Sequence, residues 1–116
     1  MDYFRRANEL YSLKQYEKAI SMYEKSLEIN KNEASSLYNV AVCYIKLKKY
    51  MLAIESLKKA VKIRSDSKYY FNLAYCYAMI DNKQKSLLYF NLAWALDNSD
   101  VECEKAINLI LKGYRK

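Results

Sequence analysis

The chain has 116 residues, of which 53% are hydrophobic, enough for one domain with a modest core and too apolar for a disordered tail. It has no proline, a single glycine (Gly113) and no histidine. That composition argues against a turn-rich β fold and removes both the commonest zinc ligand and the commonest general base. The net charge of +7 is concentrated: residues 46–68 hold eight basic side chains against Glu55 and Asp66, whereas residues 1–45 balance six basic with six acidic.

Apolar residues recur at helical spacing from the start of the chain. A first helix is expected from about Tyr3 to Leu13 with Asp2 as its N-cap, and a second from about Gln15 to Ile29. The polar stretch Asn30-Lys31-Asn32 should end the second, because asparagine tolerates the left-handed conformation of a helix stop. A second pair spans Glu33–Lys46 and Lys49–Ile63, closed by Arg64-Ser65-Asp66. A third spans Ser67–Ile80 and Lys83–Leu96, broken by Asp81-Asn82. The turns inside each pair are short, so neighbouring helices should run antiparallel. A seventh helix is expected from about Asp100 to Tyr114. Ser99 and Glu102 read as its capping box, and Cys103, Ala106, Ile107, Ile110 and Tyr114 form one apolar stripe.

The pairs repeat one another. Tyr16-x-x-Ala19-Ile20 returns as Tyr50-x-x-Ala53-Ile54 after 34 residues, and more faintly as Lys83-x-x-Ser86-Leu87 after a further 33. A fixed period in this range marks a solenoid of helical hairpins, each unable to bury its apolar face alone. The first helix of each unit carries a second pattern: Leu37-x-x-Val40-Ala41-x-x-Tyr44 and Tyr70-x-x-Leu73-Ala74-x-x-Tyr77, with Tyr3-x-x-Arg6-Ala7-x-x-Leu10 departing at Arg6. The second helices read Ala19-x-x-x-Tyr23, Ala53-x-x-x-Leu57 and Ser86-x-x-x-Phe90. Small residues allow helices to cross closely and large ones fill the spaces between.

These motifs resemble the tetratricopeptide repeat family over about residues 1–98. The family's usual proline after the second helix is missing in all three units, and Lys83 replaces the turn tyrosine of the third. The resemblance implies an all-α, right-handed α-solenoid of three antiparallel helical hairpins (about 1–32, 33–65 and 66–98). A C-terminal capping helix (about 99–116) brings the total to seven helices in a single domain, 1–116. It also implies a concave surface, lined by the first helix of each hairpin, that holds a partner's peptide. The side chains left over from packing there are Phe4, Asn8, Tyr11, Tyr38, Asn39, Val42, Lys46, Lys68, Phe71, Asn72 and Tyr75. An aromatic stands three residues before the small alanine in every unit (Phe4, Tyr38, Phe71). If exposed, the three make a ladder of rigid contacts. Some family members grip a C-terminal carboxylate with a lysine–asparagine clamp. Asn8, Asn39 and Lys68 match it, but Phe4 and Asn72 stand where the clamp has lysine and arginine.

The expected function is therefore a non-catalytic, cofactor-free module that binds a protein or peptide segment in its groove. Self-association as a homo-oligomerisation module is the second reading. Nucleic-acid contact through the basic segment 46–68 is a third, with Lys58, Lys59, Lys62 and Arg64 near phosphates but no base-reading motif. Cations near a helix C-terminus also suit the helix dipole without any partner. No glycine-rich phosphate loop, metal-ligand spacing or nucleophile–base arrangement is present, so no enzyme is expected. Cys43, Cys76 and Cys103 read as small buried residues between helices. Seven tyrosines (Tyr3, Tyr16, Tyr23, Tyr44, Tyr50, Tyr70 and Tyr77) fall at packing positions, and Trp94 should pack under the last helix. No apolar run approaches the roughly 18 residues of a membrane span, and Met1–Arg6 has no apolar secretory stretch. The expected location is cytoplasmic.

Overall fold

Seven α-helices follow one another in a computed structural model that describes residues 2–30 and 33–114. They are α1 (Tyr3–Ser12), α2 (Tyr16–Ile29), α3 (Ala34–Lys46), α4 (Tyr50–Ile63), α5 (Ser67–Met79), α6 (Lys83–Leu96) and α7 (Val101–Tyr114). Each lies within a residue or two of its expected bounds. None is long and apolar enough to cross a membrane. The chain divides into two compact units, Met1–Arg64 and Ser65–Lys116.

In the first unit α1 packs on α2, α2 on α3, and α3 on α4. Ala7, Ala19, Ala41 and Ala53 are fully buried. Each supplies only a methyl group where two helices cross, which lets the backbones approach and the larger neighbours interdigitate. Leu10, Ile20, Tyr23, Val40 and Cys43 fill the remaining space, with Tyr16, Leu27 and Tyr44 half-buried around them. In the second unit α5 packs on α6 and α6 on α7. Ala74 and Ser86 are the corresponding small residues, and the buried Ser86 hydroxyl donates to the Ala74 carbonyl at 2.9 Å. That bond satisfies a polar group that would otherwise cost free energy in the core.

The last helix covers α6 as expected. Cys103 is fully buried against Phe90 and Ala93, and its thiol donates to the Phe90 carbonyl at 3.0 Å. Ala106, Ile107 and Ile110 join the same cluster, and Trp94 packs against it. The Tyr114 side chain lies outside the described residues. All three cysteines are free and buried. Burial pushes the Cys43 thiol up from 9.0 to about 11 and Cys76 to about 12, so both remain protonated and unreactive near neutral pH.

The tyrosines divide more finely than the sequence pattern implies. Of the seven at packing positions, Tyr23 and Tyr77 are buried, whereas Tyr3, Tyr16, Tyr44, Tyr50 and Tyr70 are half-buried. Tyr69, absent from that set, is 2% exposed. In the second unit Tyr89 stacks nearly parallel to both Tyr77 (5.5 Å, 5°) and Tyr70 (6.2 Å, 16°), and the Lys85 ammonium sits 5.4 Å from the Tyr77 ring centre.

The helix ends correct two expectations. Asp2 caps α1, accepting from the Arg5 N–H at 3.0 Å. For α7, however, the cap is Asp100, whose Oδ1 accepts from the N–H groups of Glu102 (3.0 Å) and Cys103 (3.2 Å). Ser99 instead donates its hydroxyl to Asp97 at 2.6 Å. A carboxylate one residue nearer to the helix both accepts the orphan N–H groups and meets the positive end of the dipole, so it displaces the serine. The second correction concerns left-handed backbone. Asn30 ends α2 at φ −129°, in an ordinary region; Lys31 and Asn32 lie outside the described residues. Among the described residues, the left-handed ones are Lys14, Lys48 and Asp81, at φ 60°, 60° and 63°.

These three positions are 34 and 33 residues apart, the same steps as the sequence repeat. Each follows the first helix of a hairpin and reverses the chain into the second. The next residue then donates back across the turn: Gln15 N–H to Leu10 (2.9 Å), Lys49 to Tyr44 (2.8 Å) and Asn82 to Tyr77 (2.8 Å). This is the Schellman closure, usually built on glycine because a Cβ is disfavoured there. Lysine and aspartate carry that steric cost, about 1–2 kcal/mol in left-handed backbone. Lys48→Gly should therefore stabilise the fold by roughly 0.5–1 kcal/mol, the relief exceeding glycine's extra unfolded-state freedom. Leu47→Gly, at φ −87°, should destabilise it. Chemical denaturation of both variants provides the comparison.

Candidate functional site

α1 and α3 place five of the expected groove residues around one recess of the first unit. Asn8 and Tyr11 come from α1, and Tyr38, Asn39 and Val42 from α3. Spacings of three and four residues hold each set on one helix face. The sixth lining residue is Tyr23, on α2, and the recess has a volume of about 210 Å³. That is smaller than the cleft of roughly 300 Å³ or more that a drug-sized ligand needs. It suits one side chain or a short length of extended backbone.

Tyr23 organises this recess. Its ring is buried at 1% exposure, and Phe4 packs edge-on against it at 5.8 Å and 64°. Its hydroxyl donates to the Asn8 side-chain oxygen. Asn39 of α3 lines the same recess. A phenol has one proton to give, and here Asn8 accepts it. Burial, followed by the neighbouring Cys43 and Tyr11, pushes Tyr23 from 10.0 to about 12, with the nearby Asn39 amide acting in the opposite sense. The hydroxyl therefore stays protonated at any physiological pH and keeps the Asn8 amide oriented.

Sequence reasoning places Tyr23 in the core, and its ring is there. The hydroxyl's role is what it misses. The signal is in the repeat itself: the matching residues of the other hairpins are Leu57 and Phe90, which have no polar atom. A tyrosine where leucine and phenylalanine suffice for packing needs a partner for its O–H.

The other expected residues fall differently. Lys46 is exposed on α3 and does not line the recess. The three aromatics are half-buried, not a fully exposed ladder. Phe4 rests on Tyr23, and Phe71 rests edge-on against Phe90 at 5.3 Å and 71°. Phe4 and Phe71 thus each pack on the large residue of the following helix, because an aromatic left standing in water forfeits too much apolar burial. In the second unit Lys68 and Tyr75 are exposed, and the Asn72 amide donates to the Lys68 carbonyl at 2.9 Å. Asn72 is thereby tied to its own helix, unlike Asn8, which accepts from Tyr23 of α2.

Two residues of the basic segment face carboxylates within the first unit. Lys59 and Lys62 of α4 share a second groove, about 520 Å³, with Glu24 and Glu28 of α2 over a floor of Leu27, Leu37 and Ile63. The facing carboxylates offset the potential that a phosphate backbone would seek, so this face is mixed in sign.

Removing the Tyr23 hydroxyl isolates its contribution. Tyr23→Phe should cost about 1 kcal/mol of stability at neutral pH, since the hydrogen bond to Asn8 is lost while the ring packing is kept. The folded-state pKa is raised, so the wild type holds this advantage below pH 10 and loses it as pH rises toward 12. The gap between the two proteins should accordingly narrow over that interval in parallel denaturant titrations.

Known proteins share the repeat and the fold of this chain. The family model for the tetratricopeptide repeat matches residues 2–33 and 34–67. The chain is 33% identical over 120 residues to response regulator aspartate phosphatase I of Bacillus subtilis, covering 92% of the chain and 31% of that protein. It is 29% identical over 111 residues to the Hsp70-Hsp90 organising protein of Plasmodium falciparum, covering 96% and 17%. The chain spans less than a third of the length of the curated relatives it matches. Among solved structures, the first repeat domain of Spaghetti (RPAP3) bound to an HSP90 peptide superposes with a TM-score of 0.93 at 19% identity, covering 98% of this chain and 91% of that one. YrrB, a repeat protein described as having an unusual peptide-binding site, gives 0.88 at 23% identity, covering 97% and 58%. With the repeat motif matched over more than half its length and the helices of an α-solenoid, this chain belongs to the tetratricopeptide repeat family.

Proposed function

We propose that the chain is a non-catalytic interaction module and that the recess above Tyr23 grips the backbone of an extended peptide or protein segment. The observation that carries this reading is the Tyr23–Asn8 hydrogen bond in the recess. Asn8 commits its oxygen to Tyr23 and so offers amide N–H donors to a peptide carbonyl. Asn39 lines the same recess and supplies an amide oxygen for a peptide N–H. A donor beside an acceptor is the complement of one peptide unit, and the Asn8 donor is held in place before the ligand arrives. Tyr11, Tyr38 and Val42 supply the apolar walls for a side chain.

Two of the similar solved structures hold HSP90 or HSP70 peptides, SRMEEVD and SGPTIEEVD, which supports peptide binding as the activity. The chemistry here points away from strict carboxylate recognition. Phe4 and Asn72 replace the two cations that a carboxylate clamp would use, which removes most of its charge-assisted bonding. The module is expected to read backbone and an apolar side chain in preference to a free C-terminus.

Selection from a displayed library of random peptides, followed by calorimetry on the strongest binder, tests this. Asn39→Ala should weaken binding by about tenfold, or about 1.4 kcal/mol, with helicity unchanged. The free acid and C-terminal amide of the selected peptide should bind alike. Equal affinity for wild type and Asn39→Ala would remove the recess from the binding site.

A further inference from the structure

We propose that a pocket beside the turn of the third hairpin receives the ring of a tyrosine presented by a partner segment. The pocket has a volume of about 210 Å³ and is lined by Ala78 of α5, Asp81 of the turn, Lys83 and Ser86 of α6, and Leu109 and Ile110 of α7. All of these residues belong to the second unit. An apolar cavity of about 150 Å³ already holds a benzene ring, so one aromatic side chain fits. Leu109 is 73% exposed at its edge, an apolar side chain with little covering it.

The first hairpin shows what belongs in such a place. Stepping back by 33 and then 34 residues, position 83 corresponds to Tyr50 and Tyr16, and position 78 to Ile45 and Tyr11. In the first unit the Tyr11 and Tyr16 rings pack edge-on at 5.5 Å and 65°, and both join the core cluster together with Leu47. The third hairpin has a methyl group and a flexible ammonium at these two positions, and both line the pocket. The turn itself is unchanged. Asp81 repeats the left-handed conformation of Lys14, and Asn82 closes it as Gln15 does. The same backbone without the two rings leaves a space of aromatic size, which an incoming ring can fill.

The polar groups of the pocket select tyrosine. Lys83 can place its ammonium on the face of the ring, the contact that Lys85 already makes with Tyr77 at 5.4 Å. Asp81 offers a carboxylate to accept the phenolic O–H. The Ser86 hydroxyl gives its proton to the Ala74 carbonyl at 2.9 Å and makes no demand on the occupant. A leucine would fill part of the volume and leave Lys83 and Asp81 without these contacts. A partner of different sequence is the better source of the ring than a second copy. Among the described residues every tyrosine but Tyr75 is buried or half-buried, so another copy has little to present.

NMR titration of the 116-residue chain with a capped Gly-Gly-Tyr-Gly-Gly peptide tests this, read at the methyl groups of Leu109 and Ile110. A ring in the pocket should move these signals upfield, with half-saturation on the order of 1 mM because one side chain offers few contacts. The same peptide with leucine in place of tyrosine should bind at least about fivefold more weakly. Lys83→Tyr supplies the ring from within the chain. It should abolish the shifts and raise the melting temperature, with circular dichroism unchanged. Methyl signals unmoved by the tyrosine peptide overturn the proposal, as does equal binding of the two peptides or a folded Lys83→Tyr chain that still binds like wild type. Signals that move with protein concentration alone assign the pocket to a second copy and overturn it too.

Discussion

Helices in this chain come together where their side chains are almost absent. Ala7, Ala19, Ala41, Ala53, Ala74 and Ser86 are fully buried, and each occupies a crossing between neighbouring helices. A larger residue at any of these positions would drive the axes apart and strip Tyr23, Leu57 or Phe90 of the contacts that fill the layer between them. The rest of the architecture follows from that close approach. It sets the turns, which must reverse the chain within a few residues and accept left-handed backbone at Lys14, Lys48 and Asp81 to do so. It also decides which side chains remain on the surface, because whatever is not needed between helices is turned outward.

The recess in the first unit shows how a packing position acquires a second use. Tyr23 fills the same space as Leu57 and Phe90, yet its hydroxyl reaches past the core to Asn8. The ring is immobilised by burial and by Phe4, so the hydroxyl is a fixed point on which the Asn8 amide is oriented. Preorganisation of this kind lowers the entropy that a ligand must otherwise offset on binding. In the second unit the Asn72 amide instead donates to the Lys68 carbonyl of its own helix.

α6 departs from its sister helices in the opposite direction. Its inner side repeats the common pattern with Ser86, Phe90 and Ala93, while its outer side has Leu88 and Leu92 where the sister helices have polar or charged residues, and Leu96 where they have Ile63 and Ile29. The inner pattern is required by the hairpin, and Leu88 and Leu92 are not.

Periodicity alone determined the number, order and bounds of the seven helices, because a 3.6-residue stripe and a 34-residue repeat are both written along the chain. The small crossing residues, the buried cysteines and the covering role of α7 were legible for the same reason: each depends on local spacing. Only tertiary structure decided how the remaining side chains are used. Which residue capped α7 depended on a one-residue difference in reach between Ser99 and Asp100. Whether Phe4 and Phe71 stood free depended on a ring from the next helix. That Tyr23 fixes Asn8 in a recess shared with Asn39 depended on three helices meeting there. Such contacts relate residues distant in sequence through angles and distances that no period encodes, so they exist only once the helices have packed.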